Sequence, residues 1–377
     1  MITTIIYFII ILSVLVFVHE LGHFLAARKF GAKAEEFGLG FPPRVLGFYK
    51  SNSGKWKLTF GRAEVNDAKN TIYSINSIPL GGFVKIKGED GENKTDQSSF
   101  ANKPIWQRAI ILFAGVTMNI ILAAVIFSGI FLFGSSQQLD GLPTKGAIIR
   151  DRHLEVVSVN VDSPAYQADI KPGDRIISIN NQSIQTVEEL QNFVADKVGQ
   201  KLSYSIKRGE EVLIKEITPI VLKETNRGGI GIAPSEVGFI RYPWYLAVVE
   251  GIKTTGIFLW AILSGFYDLL HRLFMGKAVG TDVAGIVGIA VLTGQVASLG
   301  FTYLLQFAAL LSLNLAIINI LPIPALDGGR ILFLIIEKIK GRPIKQETEA
   351  LIHNIGFMLL IGLMILVTFT DIKRLFN

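Results

Sequence analysis

Hydrophobic and polar positions divide this chain into long apolar runs separated by charged stretches. The first run, IIYFIIILSVLVFVHELGHFLAA, begins at Ile5 and is long enough to cross a bilayer, which takes about 20 apolar residues. AIILFAGVTMNIILAAVIFSGIFLF (Ala109 to Phe133), TYLLQFAALLSLNLAIINILPIPALDG (Thr302 to Gly328) and IGFMLLIGLMILVTF (Ile355 to Phe369) repeat the pattern. Between Gly134 and Tyr242 the character changes. Strand-like runs such as LEVVSV, RIISIN and KLSYSIKR alternate with turns rich in Gly, Pro, Asn and Asp, and VEELQNFVADK has helical spacing. The pattern predicts a mainly α-helical membrane protein with about four transmembrane helices and one inserted α/β module. GIFLWAILSGFYDLL, within Pro243 to Leu270, reads either as a further span or as an amphipathic helix lying on the membrane, because Glu250, Lys253, Asp268, His271 and Arg272 flank it closely.

Composition narrows the class. Half of the 377 residues are hydrophobic, too many for an ordinary soluble chain. With no cysteine, neither a disulfide nor a thiolate metal site is available. The net charge of +6 does not point to nucleic acid. The basic residues concentrate between Arg28 and Arg108, and the positive-inside rule makes that segment cytoplasmic. The first helix then runs inward, the second returns, and the α/β module and both termini are extracytoplasmic. Lys373 and Arg374 at the far end fit this topology poorly. The opening Met-Ile-Thr-Thr has no cationic region and its apolar run is long, so a retained first span is expected rather than a cleaved leader.

Charged and ionisable side chains inside a bilayer each cost about 3 kcal/mol on insertion scales. FVHELGHF, Phe17 to Phe24, nevertheless carries two histidines and a glutamate. Residues four apart share one helix face, so His19 and His23 can point at one metal ion while Glu20 reaches a water bound to it. Zn²⁺ suits imidazole and in catalytic sites takes three protein ligands. His153, His271 and His353 lie in polar or boundary segments. Asp327 follows the two ladder-breaking prolines Pro322 and Pro324 in an apolar run and is the candidate third ligand, its plain alternative being a helix-end residue before EKIKGR. His19 and His23 lie toward the C-terminal end of the first span, and Asp327 toward the C-terminal end of its own. They meet at one level only if both spans run inward, so Pro243 to Leu270 should not cross. A reporter at Lys277 would then lie outside.

HELGH together with NILPIPALDGG (Asn319 to Gly329) resembles the site-2 intramembrane metalloproteases, specifically the bacterial regulator-of-sigma-E protease group. The resemblance implies a zinc endopeptidase cutting transmembrane segments, with His19, His23 and Asp327 holding Zn²⁺ and Glu20 as acid/base. SIPLGGFVKIKGED (Ser77 to Asp90) is similar to the family's re-entrant β-hairpin, which offers substrate an edge strand. Asn119 in GVTMN, with Asn314 and Asn319, matches asparagines near the substrate path. With Pro322, Pro324, Gly81, Gly82, Phe83, Val84 and Lys85 they are the candidate substrate-binding residues. DSPAYQADIKPGDRIISINNQSI (Asp162 to Ile184) resembles a PDZ domain, a module that binds extended chains by strand addition. Substrate C-termini, or a role as size filter, are its expected uses, with Leu154 to Val157 the candidate carboxylate-binding region. The family suggests anti-sigma factors or remnant signal peptides as substrates, in the plasma membrane, with no nucleic acid. Gly40-Phe41-Pro42-Pro43, GIVGI at Gly285 to Ile289 and a long stretch from Phe48 to Thr71 depart from its pattern.

The expected layout is then a first transmembrane helix at 1–27 and a cytoplasmic segment at 28–108 with the re-entrant hairpin near 71–90. A second helix at 109–134, a PDZ domain at 145–224 and a linker with membrane-lying amphipathic helices at 225–300 follow. A third helix at 301–336 and a fourth at 353–370 complete it. The rival functions are a membrane-anchored PDZ scaffold with a structural or vestigial metal site, and a transporter. Glu20 is superfluous to the first, and no internal repeat supports the second.

Overall fold

The computed structural model describes residues 2–61, 63, 65, 67–139, 146–209, 211–222, 226–276 and 285–376, so Lys277 and the stretch 277–284 of the expected linker lie outside the described residues. The chain forms two compact units, residues 1–127 with 251–377, and residues 128–250. The first holds α1 (Ile2–Lys29), β1 (Ala34–Lys50), β2 (Trp56–Phe60), β3 (Ile72–Ile86) and most of α2 (Ile105–Phe133). The second holds β4 (Ser135–Gln138), β5 (Ile148–Val159), α3 (Pro164–Gln167), β6 (Arg175–Ile179), β7 (Gln182–Ser183), α4 (Val187–Ala195), β8 (Leu202–Arg208), β9 (Glu211–Ile217), β10 (Ile220–Val221), β11 (Gly228–Gly229) and β12 (Ile232–Arg241). The chain then returns to the first unit through α5 (Trp244–Phe274), α6 (Ile286–Leu299), α7 (Phe301–Ile320), α8 (Asp327–Lys340) and α9 (Gln346–Phe376).

Five helices are long and apolar enough to cross a bilayer: α1, α2, α5, α7 and α9. The sequence reading expects about four, and the additional one is α5, a single continuous helix. The helix expected over 301–336 is two. α7 stops at Ile320, a turn built on Pro322 and Pro324 follows, and α8 starts afresh at Asp327. Proline has no N–H to continue the ladder, which makes the break obligatory. Contacts fix the ends of the bundle. Gly294 of α6 sits against Thr4, and the Gly288 N–H donates to the Asp371 carboxylate (2.8 Å), so α6 lies where α1 begins and α9 ends. At the opposite end His19 meets Asn119 and Asn319, and His353, at the start of α9, accepts from the Ala325 N–H (2.8 Å).

The segment expected as a re-entrant β-hairpin near 71–90 is part of a three-stranded sheet ordered β2-β1-β3. Glu36 to Leu39 lie between the two halves of β3: Phe37 pairs with Val84 on one side and Tyr73 on the other, and Leu39 with Gly82 and Ile75. The reason is physical. A lone ribbon leaves two rows of unpaired backbone groups, and threading β1 between the halves of β3 pairs the inner ones. Residues 82–86 remain outermost, paired on one side only among the described residues. The sheet docks on α1 through aromatic packing, Phe37 stacked on Phe24 with ring centroids 4.6 Å apart.

The second unit carries a seven-stranded sheet whose main path runs β4-β12-β5-β6-β8-β9, with β7 on β6. Its core gathers Leu154, Val156, Ile176, Ile179, Tyr204 and Ile206. Helix α4 starts at a full capping box, Thr186 accepting from the Glu189 N–H while Glu189 reaches back. The sheet extends beyond 145–224 at both ends, because β4 and β12 pair with each other across that range and β12 lies beside β5. Leu154 and Val156 are fully buried between β12 and β6, so this stretch cannot be an open carboxylate-binding loop. A cleft of about 470 Å³ instead lies between Leu190 and Val194 of α4 and the glycine-rich Gly228 to Ile232.

Candidate active site

One helix supplies two imidazoles. His19 and His23 are one turn apart on α1 and both are buried. Their rings meet edge to face with centroids 4.8 Å apart. The two Nε2 atoms lie 3.2 Å apart and both face Asp327, whose Oδ2 is 3.0 Å from that of His19 and 3.3 Å from that of His23. Residues 308 apart in sequence thus converge on one point inside the first unit.

Backbone architecture holds Asp327 there. Ala325 adopts φ +75°, a left-handed conformation unusual for a residue with a Cβ, and its N–H is held by His353 Nδ1. A Cβ on Gly328 would come within 2.1 Å of the Leu321 carbonyl oxygen, so only glycine lets the chain turn this sharply into α8. The carboxylate then stands at a helix N-terminus, where unpaired N–H groups favour negative charge.

The far nitrogen of each ring is also engaged. His23 Nδ1–H donates to the Ile111 carbonyl of α2 (2.8 Å), leaving the Nε2 lone pair facing Asp327. The Asn119 side-chain amide lies 3.2 Å from His19 Nδ1. Asn119 Oδ1 is buried without a partner when Nδ2 faces the ring. With the amide turned over, Oδ1 accepts from His19 Nδ1–H, and the same tautomer frees Nε2. Ser312 of α7 donates to the Asn119 carbonyl (2.8 Å), tying α2 to α7.

These donors fit zinc. A tetrahedral ion with bonds of 2.0–2.1 Å has ligand atoms about 3.3 Å apart, the spacing that the three donors already have. Both imidazoles carry the outer hydrogen bond that metal-ligating histidines normally have. Glu20 lies on the neighbouring face of α1, against the outermost strand: a Cβ on Gly82 would lie 3.4 Å from its Cβ and Cγ, and 2.8 Å from the Phe17 Cα. Gly81 has φ +80° and meets Val16 in the same way, while Ser13 accepts from the Gly81 N–H (3.3 Å) and donates to the Pro79 carbonyl (3.0 Å). Ser13 is six residues before His19 on α1, about 9 Å along the axis. The tip of β3 thus reaches past the histidines toward the start of α1.

Not every candidate comes to this point. Asn319 does, its amide 3.3 Å from His19 Nε2. Pro322 and Pro324 form the turn that precedes Asp327. Gly81 to Lys85 line α1, with Lys85 paired to Glu35 (2.9 Å). Asn314 instead donates to the Leu310 carbonyl of its own helix (2.9 Å). Sequence reasoning passes over the glycines that permit the convergence. A Cβ on Gly115 would lie 2.5 Å from His23 Nε2 and 2.7 Å from His19 Cε1, and one on Gly22 would lie 2.3 Å from the Ala114 carbonyl oxygen. The available signal was position: Gly22 sits within HELGH, and Gly115 one turn before Asn119 on α2.

The chain matches peptidase family M50 over residues 7–363. It is 32% identical to the regulator of sigma-W protease RasP of Bacillus subtilis, covering all of this chain and 99% of that one. It is 34% identical to a Clostridium acetobutylicum protein provisionally named zinc metalloprotease, over 97% of this chain and 96% of that one. Among solved structures, the PDZ domain of an SdrC-like protein from Listeria monocytogenes is similar, at 25% identity over 22% of this chain and 86% of that domain, with a TM-score of 0.21.

Proposed function

The chain belongs to peptidase family M50, a family of zinc metalloproteases, and from that premise we propose that it hydrolyses peptide bonds within transmembrane segments of other membrane proteins. One observation carries the reading: the convergence of buried His19 and His23, on an apolar helix, with half-buried Asp327, with Glu20 and an edge strand beside it. A scaffold has no use for Glu20 at that place.

Bound zinc supplies a Lewis acid and brings the pKa of a water to about 7. His19, His23 and Asp327 would hold it, and Asn119 and the Ile111 carbonyl fix the imidazoles in the ligating tautomer. Glu20 removes the proton from the attacking water and passes it to the departing amide nitrogen. A substrate helix must be unwound before its peptide bonds can be reached. Residues 82–86, with one side unpaired among the described residues, can accept an extended segment as a further strand. Asn319 is within reach of the same region.

The reading includes a topology: α1 and α7 inward, α2 and α9 outward, with the site toward the cytoplasmic side and the α/β unit outside. Its support is the position of α6. α2 leaves the bundle at the end where α1 starts, and α6, after α5, sits on Thr4 and Asp371 at that same end. The chain therefore makes no net crossing between α2 and α6, which suits α5 lying along the membrane. For the second unit, the cleft lies between a helix, α4, and the strand segments of Gly228 to Ile232, the setting in which an extended peptide can dock, and we assign it the binding of substrate or partner C-termini.

The test is Glu20→Gln in the reconstituted full chain with a single-span substrate. Cleavage should fall at least roughly 100-fold while zinc content is unchanged, since general acid–base catalysis is worth that much or more. Undiminished cleavage would discard the mechanism. Full zinc occupancy in a His19→Ala, His23→Ala double variant would discard the ligand assignment.

A further inference from the structure

A cleft of about 320 Å³ opens where α1 ends, and four cationic residues line it: Arg28, Lys33, Lys50 and Lys69, with Trp56 and Tyr73 on one wall. Among the described residues no acidic one lines it. Of the described acids nearby, Glu35 is engaged with Lys85, Glu36 with Arg44, and Asp67 with Lys57 and Tyr49. Among the described residues none of the four cations forms an ion pair; Arg28 lies over the Phe24 ring, 5.4 Å from its centroid. The backbone under them is fixed, the Lys33 N–H donating to Ser98 (2.8 Å) and the Lys69 N–H to Lys50 (2.9 Å). Like charges gathered without counter-charge are a site for an anion.

Two further observations say which anion. Arg28 directly follows the apolar run of α1, which puts the cleft at headgroup depth if α1 spans the bilayer. The aromatic wall also continues outward as an apolar surface. Trp56 lies 5.9 Å from Phe48, which stacks on Tyr73, and Phe48 pairs with Leu58 and Leu46 with Phe60. Leu58 and Phe60 are each about two-thirds exposed on strand β2, in the stretch where the sequence is longer than the family pattern. At about 30 Å³ per water, the cleft has room for on the order of ten waters, enough for a phosphodiester and its glycerol.

We propose that this cleft binds the headgroup of an anionic phospholipid, its phosphate among Lys33, Lys50 and Lys69 and an acyl chain along Phe48, Leu58 and Phe60. A zwitterionic headgroup would bring its own cation against four others. The proposal rests on the chain being embedded in a membrane and not on its peptidase activity.

Native mass spectrometry of the full chain in neutral detergent tests it, with short-chain phosphatidylglycerol, phosphatidylcholine and inorganic phosphate as probes. Phosphatidylglycerol should be retained over phosphatidylcholine. A Lys50→Glu, Lys69→Glu variant should lose retention roughly tenfold or more, the scale of two basic contacts at a membrane surface. Lys50→Arg, Lys69→Arg should keep it, and Leu58→Ser, Phe60→Ser should weaken lipid without affecting phosphate. Equal retention of the two lipids, or an unchanged preference in the charge-reversed variant, overturns the proposal. Inorganic phosphate binding as tightly as the lipid overturns the lipid assignment. Should charge reversal prevent folding, Lys50→Gln, Lys69→Gln decides by the same comparison.

Discussion

Gly115 shows how much of the site depends on an atom that is not there. The side chain of any other residue would enter the space that the two imidazoles occupy, and the rings are already held by Ile111 and Asn119. Gly115→Ala should therefore lower zinc content and cleavage together. Gly129→Ala, on the same helix with open space around it, should leave both near wild type. Elemental analysis of the purified variants decides, and equal zinc in the two would contradict the steric account. His19, Glu20, His23 and Asp327 were legible in the sequence because cost made them conspicuous: ionisable side chains inside apolar runs demand a reason. Gly115 was not, since a glycine in a membrane helix is common and its importance lies in what stands opposite. The carboxylate-binding region was misplaced for a related reason. LEVV alternates little, and nothing in four residues tells a buried central strand from a loop beside one.

At the level of elements, the β1–β3 sheet segment and the Asp327 helix are joined by charge. Arg330, one turn after Asp327 on α8, pairs with Glu89 just beyond the end of β3, and Arg108 of α2 pairs with Glu337 on α8 (2.6 Å). The first bridge links the strand that would receive substrate to the residue that would ligate metal. Glu89→Gln and Arg330→Met should each reduce cleavage roughly tenfold, and the double variant should be no worse than the poorer single, as groups in one network behave. Kinetics on the four proteins would show it; additive losses would mean that the residues act separately. The apolar runs located α1 and α2 to within a few residues, but not the break between α7 and α8, the full length of α9, or α6. The sheet was not legible, because the pairing of β1 with both halves of β3 is set by which backbone groups find partners, and side-chain patterns carry no record of that register.

The whole molecule offers an unusual convenience: it has no cysteine, so any introduced thiol reports alone. Trp244→Cys and Met275→Cys bracket α5, and Lys345→Cys lies in the turn between α8 and α9; all three positions are exposed. An impermeant maleimide added to intact cells should label the first two and spare the third. Labelling at Trp244→Cys with protection at Met275→Cys would mean that α5 crosses. Long-range organisation was only partly legible. Parity of the spans followed from charge bias and from the need to bring Asp327 to the histidines, whereas the place of α6 at the end of the bundle came from contacts such as Gly294 on Thr4. The outermost strand, finally, bears on hydration. Peptide groups without partners are intolerable in hydrocarbon; Val84 has one in the Glu20 side chain, and the remaining groups on the free edge of 82–86 would need water. A substrate strand added there, as proposed, would displace that water, and water is the second reactant of hydrolysis. The edge that would hold the scissile bond open would then also border the path of the attacking water.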